Sequence, residues 1–240
     1  MTTFDELDNP VWESLTSAHA NLAQSSGAAR RYASQVSPMA AVSKPTPTAF
    51  ADLAALVKPE ERVGLATVDP LQIADGWQTV FSRPIEQMVC TGLTRDTRET
   101  PLELGRDDVP EMLALTAATE PGPFRAETIQ MGRYFGVRSD DGRLIAMAGE
   151  RLKLARFTEI SAVCTDPEFR GRGFARTLVA YLVALTLNEG KTPFLHVKAE
   201  NGAKILYQKL GFRVRRTIQL TVISPATGSF EFEEGTARGA

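Results

Sequence analysis

Apolar and polar positions along the chain change their period several times, and each change predicts an element. From Asn9 the residues Val11, Leu15, Ala18 and Leu22 recur at helical spacing, with Asn9 placed to cap and Pro10 suited to a first turn; this predicts a helix to about Ala23. A polar, proline-spotted stretch follows. In "AFADLAALV", Phe50, Leu53, Leu56 and Val57 share one face, Thr48 is placed to cap, and Pro59 ends the run. "RVGLATV" (62–68) and "IEQMVCTGL" (85–93) read as strands. The polar segment "TRDTRETP" marks a junction, dividing an N-terminal accessory region, 1–100, from a second domain, 101–240.

Beyond it, "LELGRDDVPEMLALTAAT" predicts a strand, a cap at Asp107 or Asp108, and a helix with Pro110 in its first turn. "RYFGVRSDDGRLIAMAGERLKL" predicts a hairpin turning at Asp141-Gly142. "FTEISAVCT" is a strand. The run from about Phe174 to Leu187 is apolar almost all round, as in a helix buried against a sheet. "TPFLHVKA" is a strand, "AKILYQKLGF" a short helix stopped by Gly211, and "RVRRTIQLTVI" and "SFEFEE" are final strands. Residues 101–240 thus read as strand–helix, meander, then strand–helix–strand–helix–strand, a mixed α/β order.

Composition narrows the class. With 43% hydrophobic and 23% charged residues the chain of 240 reads as globular and soluble. The opening MTTFDELD is acidic and polar, unlike a secretory signal, and no apolar run reaches the ~18 residues of a membrane span. Two cysteines, Cys90 and Cys164, form no CxxC pair, so neither a metal knuckle nor a disulfide scaffold is indicated, and a reducing cytoplasm is the simplest location. Residues 1–100 carry 8 basic and 12 acidic side chains, the remainder 19 and 17. Between 170 and 216 ten Lys or Arg face only Glu189 and Glu200. That cluster suits a polyanionic ligand; a solvated basic face is the alternative.

The stretch "DPEFRGRGFARTLVAYL" (166–182) decides between them. Glycines before a helix leave room for an anion at its unpaired N–H groups, so the amides of Gly171, Arg172, Gly173, Phe174 and Ala175 suit a pyrophosphate, with Arg170, Arg172 and Arg176 at its edge. A plain tight turn is the alternative. The run is no P-loop, lacking GxxxxGK, and no Rossmann fingerprint, since Arg176 stands where the third glycine belongs.

Strand, "VCTDPEFRGRGFA", helix, then "LHVKAENGAKILYQKLGF" resembles the GNAT superfamily of acyl-CoA-dependent N-acetyltransferases. That family's pyrophosphate motif falls on Arg170, Gly173 and Ala175, and its second signature on Leu206, Tyr207, Leu210, Gly211 and Phe212. The resemblance covers about 101–225. It extends to the branch that includes glycine N-acyltransferases, whose chains carry an additional N-terminal domain; residues 1–100 would then be such a region, a degenerate GNAT-like half among the options. The implied fold is a mixed, mostly antiparallel sheet flanked by helices.

The implied activity is transfer of an acetyl or short acyl group from acetyl-CoA to a primary amine of a small molecule or amino acid, by direct attack in a ternary complex and without a metal. Neither nucleic acid nor membrane is implied as partner, and a homo-oligomer stays open. The loop would bind coenzyme A pyrophosphate, and Ala162, Val163, Cys164 and Thr165 would pair with the pantetheine arm. Tyr207 matches the family's general acid. Glu159, eleven residues before Arg170, matches a strand carboxylate used as general base, or forms a strand-edge salt bridge. His196 is the other titratable candidate, equally readable as a packed side chain. Asn201 departs from the family's spacing, where Glu200 stands in the usual asparagine's place; it reaches the coenzyme or caps the helix. Arg125 or Arg133 would hold an acceptor carboxylate, or lie on the surface. A non-catalytic acyl-CoA sensor on the same fold is the alternative function.

Overall fold

The computed structural model describes residues 4–92 and 100–226. Helix α1 (Pro10–Thr16) is capped by Asn9, whose side-chain oxygen accepts from the Trp12 amide. It stops short of Ala23 because the chain turns at Ser17 to bury His19. The His19 ring lies among Ser14, Tyr32 and the Met131 carbonyl, a set of contacts that helical continuation would not provide. The polar stretch that follows is a small sheet, β1 (Ala23–Ser26), β2 (Ala29–Tyr32) and β3 (Ala40–Val42). Helix α2 (Pro47–Ala54) is capped by Thr46 rather than Thr48, which places Pro47 at its first position.

Strands β4 (Val63–Thr67) and β5 (Trp77–Cys90) come next. β5 begins well before Ile85: its exposed half, Gln78–Pro84, has no apolar alternation to announce a strand and is ordered by pairing with the far end of the chain. After β6 (Leu102–Leu104) comes helix α3 (Val109–Thr119). Asp108 accepts from the Gly105 amide at 2.8 Å and pairs with Arg138. The hairpin of β7 (Tyr134–Arg138) and β8 (Leu144–Lys153) turns at Gly142, whose φ of +89° suits glycine. Then follow β9 (Phe157–Thr165), α4 (Phe174–Asn188), β10 (Thr192–Val197), α5 (Ala203–Lys209) and β11 (Phe212–Pro225). Most of the junction "TRDTRETP" and all of "SFEFEE" lie outside the described residues.

Among the described residues the large sheet has eight strands in the order β4-β11-β5-β10-β9-β8-β7-β6, antiparallel except for β9 with β10. This is the mixed, mostly antiparallel α/β sheet read from the sequence. Strands from both sides of residue 100 share it, with β5 seated between β10 and β11. Leu178, Val179, Leu182 and Val183 of α4 pack with Tyr207 and Phe212 against Met88, Ala146, Ile160 and Leu195, forming the core on one face.

Candidate active site

Among the described residues, the one parallel strand pair of the large sheet makes the site. β9 and β10 stay together only over Phe157–Glu159 and Thr192–Phe194. β10 then remains paired with β5, and β9 with β8, so the two strands part. A bulge in β9 assists the opening: Ala162 and Val163 stand opposite Ala148 alone, and Ala162 takes a φ of +53°. Such an extra residue bends a strand, and a left-handed alanine costs on the order of 1 kcal/mol. Between the parted ends lies a cavity of about 870 Å³. The β9 edge from Ile160 to Thr165 faces it without a strand partner.

The Arg/Gly loop closes one end. Gly171 and Gly173 have φ of +79° and +89°, and a Cβ on either would meet nothing within 4 Å. Glycine is therefore required by the backbone conformation, in front of open space. Gly173 caps α4 with no side-chain hydrogen bond, and Phe174, Ala175 and Arg176 line the cavity with Gly171 and Gly173. Arg170 and Arg176 line it too, Arg170 donating to the Thr165 carbonyl at 3.3 Å. Arg172 differs from the sequence expectation: its guanidinium stacks on Phe169 at 4.9 Å and is not among the lining residues. Thr165 Oγ1, on the cavity wall, is buried without a hydrogen-bond partner among the described residues. An uncapped helix start, an open strand edge, an orphaned hydroxyl and two arginines fit a ligand with a phosphate end and an amide-bearing arm.

Tyr207, on α5, also lines the cavity; it is 7% exposed and packs against Phe212. Its hydroxyl has no hydrogen-bond partner among the described residues, and burial pushes its pKa up to about 12, so it is a protonated donor facing the cavity. Burial likewise pushes the Cys164 thiol up to about 11, which leaves no thiolate for nucleophilic work. Ala162, Val163 and Cys164 line the wall through the bulged strand. Asn201 lines the cavity, and its side-chain oxygen accepts from the Ala203 amide at 2.9 Å, although the N-cap position of α5 itself falls on Gly202.

Glu159 is neither at a strand edge nor on the cavity wall. It is fully buried, with Arg151 donating to both oxygens at 2.8 and 2.6 Å and His196 Nδ1 at 2.7 Å. Burial favours the neutral acid, but Arg151, and after it His196, hold the carboxyl well below the usual carboxylate range. So weak a base, out of reach of the cavity, is poorly suited to take a proton from an acceptor. His196 does line the cavity. Arg125 and Arg133 do not: Arg125 donates to the Ser34 carbonyl, and Arg133 pairs with Glu150 and Glu189. The sequence reading missed Arg83 and Ile85 of β5, Arg151 of β8, Ser161 of β9, Lys198 just after β10, and Leu220 of β11, all on the wall. No local pattern marks them, since they converge through nonlocal strand pairing.

The chain's likeness to known proteins agrees with this geometry. The family model described as FR47-like protein matches residues 134–220. The crystal structure of a protein assigned to the GNAT acetyltransferase family, from Novosphingobium aromaticivorans, is 40% identical, with a TM-score of 0.85 over 92% of this chain and 99% of that one. A GCN5-related N-acetyltransferase from Kribbella flavida shares the fold at 16% identity and a TM-score of 0.59, over 91% of this chain and 97% of its own. No curated protein matches the sequence.

Proposed function

The chain belongs to the GNAT family of acetyltransferases, and from that premise we propose that it moves an acetyl or other short acyl group from acyl-CoA to the primary amine of a small molecule or amino acid. The observation that carries this reading is the cavity between the parted strands, lined both by the glycine loop and by the protonated Tyr207. The likeness extends to GNAT acetyltransferases and not to the glycine N-acyltransferase branch in particular.

Acyl-CoA supplies an activated thioester. Loop amides, Arg170 and Arg176 bind its phosphates, and the open β9 edge orients its arm. The acceptor nitrogen forms a bond to the acyl carbon, the carbon–sulfur bond breaks, and the Tyr207 phenol gives its proton to the departing sulfur. The proton that the amine loses passes through water to the Tyr207 phenolate and restores it, so the products are an amide and a free thiol. Holding both reactants in one cavity supplies much of the rate. Ile85 and Arg83 of β5 and Leu220 of β11 wall the cavity as well, and suit a small acceptor with an apolar part and a carboxylate.

The test is thiol release from acetyl-CoA across a panel of small amines and amino acids. Release that depends on the amine, with matching acetylated product, supports the proposal. Saturable acetyl-CoA binding with no acceptor-dependent release would favour a sensor instead.

A further inference from the structure

Gln87 is fully buried on β5, directly across from His196 on β10. Its side-chain oxygen accepts from Arg215 Nη1 at 2.8 Å. Its side-chain nitrogen lies 2.9 Å from the Leu7 carbonyl and 3.1 Å from His196 Nε2. Arg215 owes its place to a second bulge: Val214 pairs with Met88 and Arg216 with Gln87, leaving Arg215 as the extra residue. Bulges commonly re-aim a side chain in this way. Asp8, just after Leu7, anchors Arg215 and Arg216 from the outer side.

Donor and acceptor logic then fixes the imidazole. The guanidinium has only donors, so it selects the Gln87 oxygen; the amide nitrogen, also only a donor, is left facing the ring. Nε2 of His196 must therefore offer a lone pair. Nδ1 carries the proton and donates to Glu159, which Arg151 holds from β8. A proton on Nε2 would oppose two donors, and turning the amide over would set its NH₂ against Arg215. The groups around the ring are Gln87 from β5, Glu159 from β9, Arg151 from β8, Arg215 and Arg216 from β11 and Asp8 from the N-terminal segment; Phe194 meets the ring edge-on.

We propose that Gln87 and Arg215 are positioning residues that keep His196 neutral, with its proton on Nδ1 and Nε2 closed, so that the acceptor amine enters the cavity already deprotonated instead of yielding its proton to His196. This rests on the transferase reading only for its consequence in catalysis; the state of the ring stands apart from it.

Two measurements test it on the full chain. The sequence has two histidines, so long-range ¹H–¹⁵N imidazole spectra are assigned with one His196→Gln variant. At neutral pH, His196 should show a single tautomer, protonated on Nδ1. Arg215→Met frees the amide to turn and should give a mixed tautomer; Gln87→Leu opens Nε2 outright. A wild-type ring protonated on Nε2, or on both nitrogens, overturns the proposal. In the second measurement, the pH profile of kcat/KM is recorded with several amines of different basicity. The wild-type inflection should follow each amine's own pKa, and Gln87→Leu should add one common to all amines. A wild-type inflection common to all amines and lost in His196→Gln would make His196 the base and overturn the proposal. If no amine is acylated, the transferase reading fails while the tautomer still decides the lock.

Discussion

Arg151 and Glu159 face each other across the β8–β9 pair, the guanidinium meeting both carboxylate oxygens at 2.8 and 2.6 Å. Glu159 is wholly buried, while the Arg151 side chain keeps 19% exposure at the cavity wall. Removing one partner leaves the other charge unpaired. Glu159→Gln should lower stability by about 3–5 kcal/mol, read by chemical denaturation at neutral pH. The folded-state pKa is depressed, so the pair's contribution is present above the ordinary carboxylate pKa and is lost as pH falls. A stability loss in the variant much below this range would show that Arg151 has other support.

Acetyl-CoA should raise the melting temperature of the wild type in a saturating way, since a ligand that binds only the folded state adds about 2.7 kcal/mol at 100 times its Kd. Gly173→Glu should abolish the shift. It places a side chain at φ +89° and a negative charge before the uncapped start of α4. An equal shift in the variant would mean that the loop is a turn and binds no phosphate.

Tyr207→Phe should lower kcat by about 10²–10⁴-fold, the usual range for a lost general acid. Acetyl-CoA binding and the folded core should change little, because the ring and its contact with Phe212 remain. Unchanged kcat would assign Tyr207 to packing alone.

His19 gives a separate pH signature. Burial lowers its pKa to about 4 from an ordinary 6.5, although the bond to the Met131 carbonyl acts against the shift. The unfolded chain therefore binds the extra proton first, and about 3 kcal/mol of stability should be lost as pH falls from 6.5 to about 4. His19→Gln should flatten that part of the curve. A wild-type curve already flat there would place a charged histidine in the fold.

Local rules carried far in this sequence. Gly142, Gly173 and Gly211 were legible because positive φ is a demand the residue itself meets. So were α4, with its apolar surface, and the motif positions Gly173, Ala175 and Tyr207, which lie within short segments. Elsewhere the tertiary structure decided. Exposed Gln78–Pro84 becomes a strand only because β11 pairs with it from more than a hundred residues away. α1 ends early because His19 has a buried site to fill. Glu159 changed from candidate base to buried anion because β8 places Arg151 beside it, and Gln87 met His196 because β5 pairs with β10. Periodicity and turn chemistry act over a few residues and can be read from the chain; which charge ends up beside which depends on strand register, and that is set only when distant segments pack.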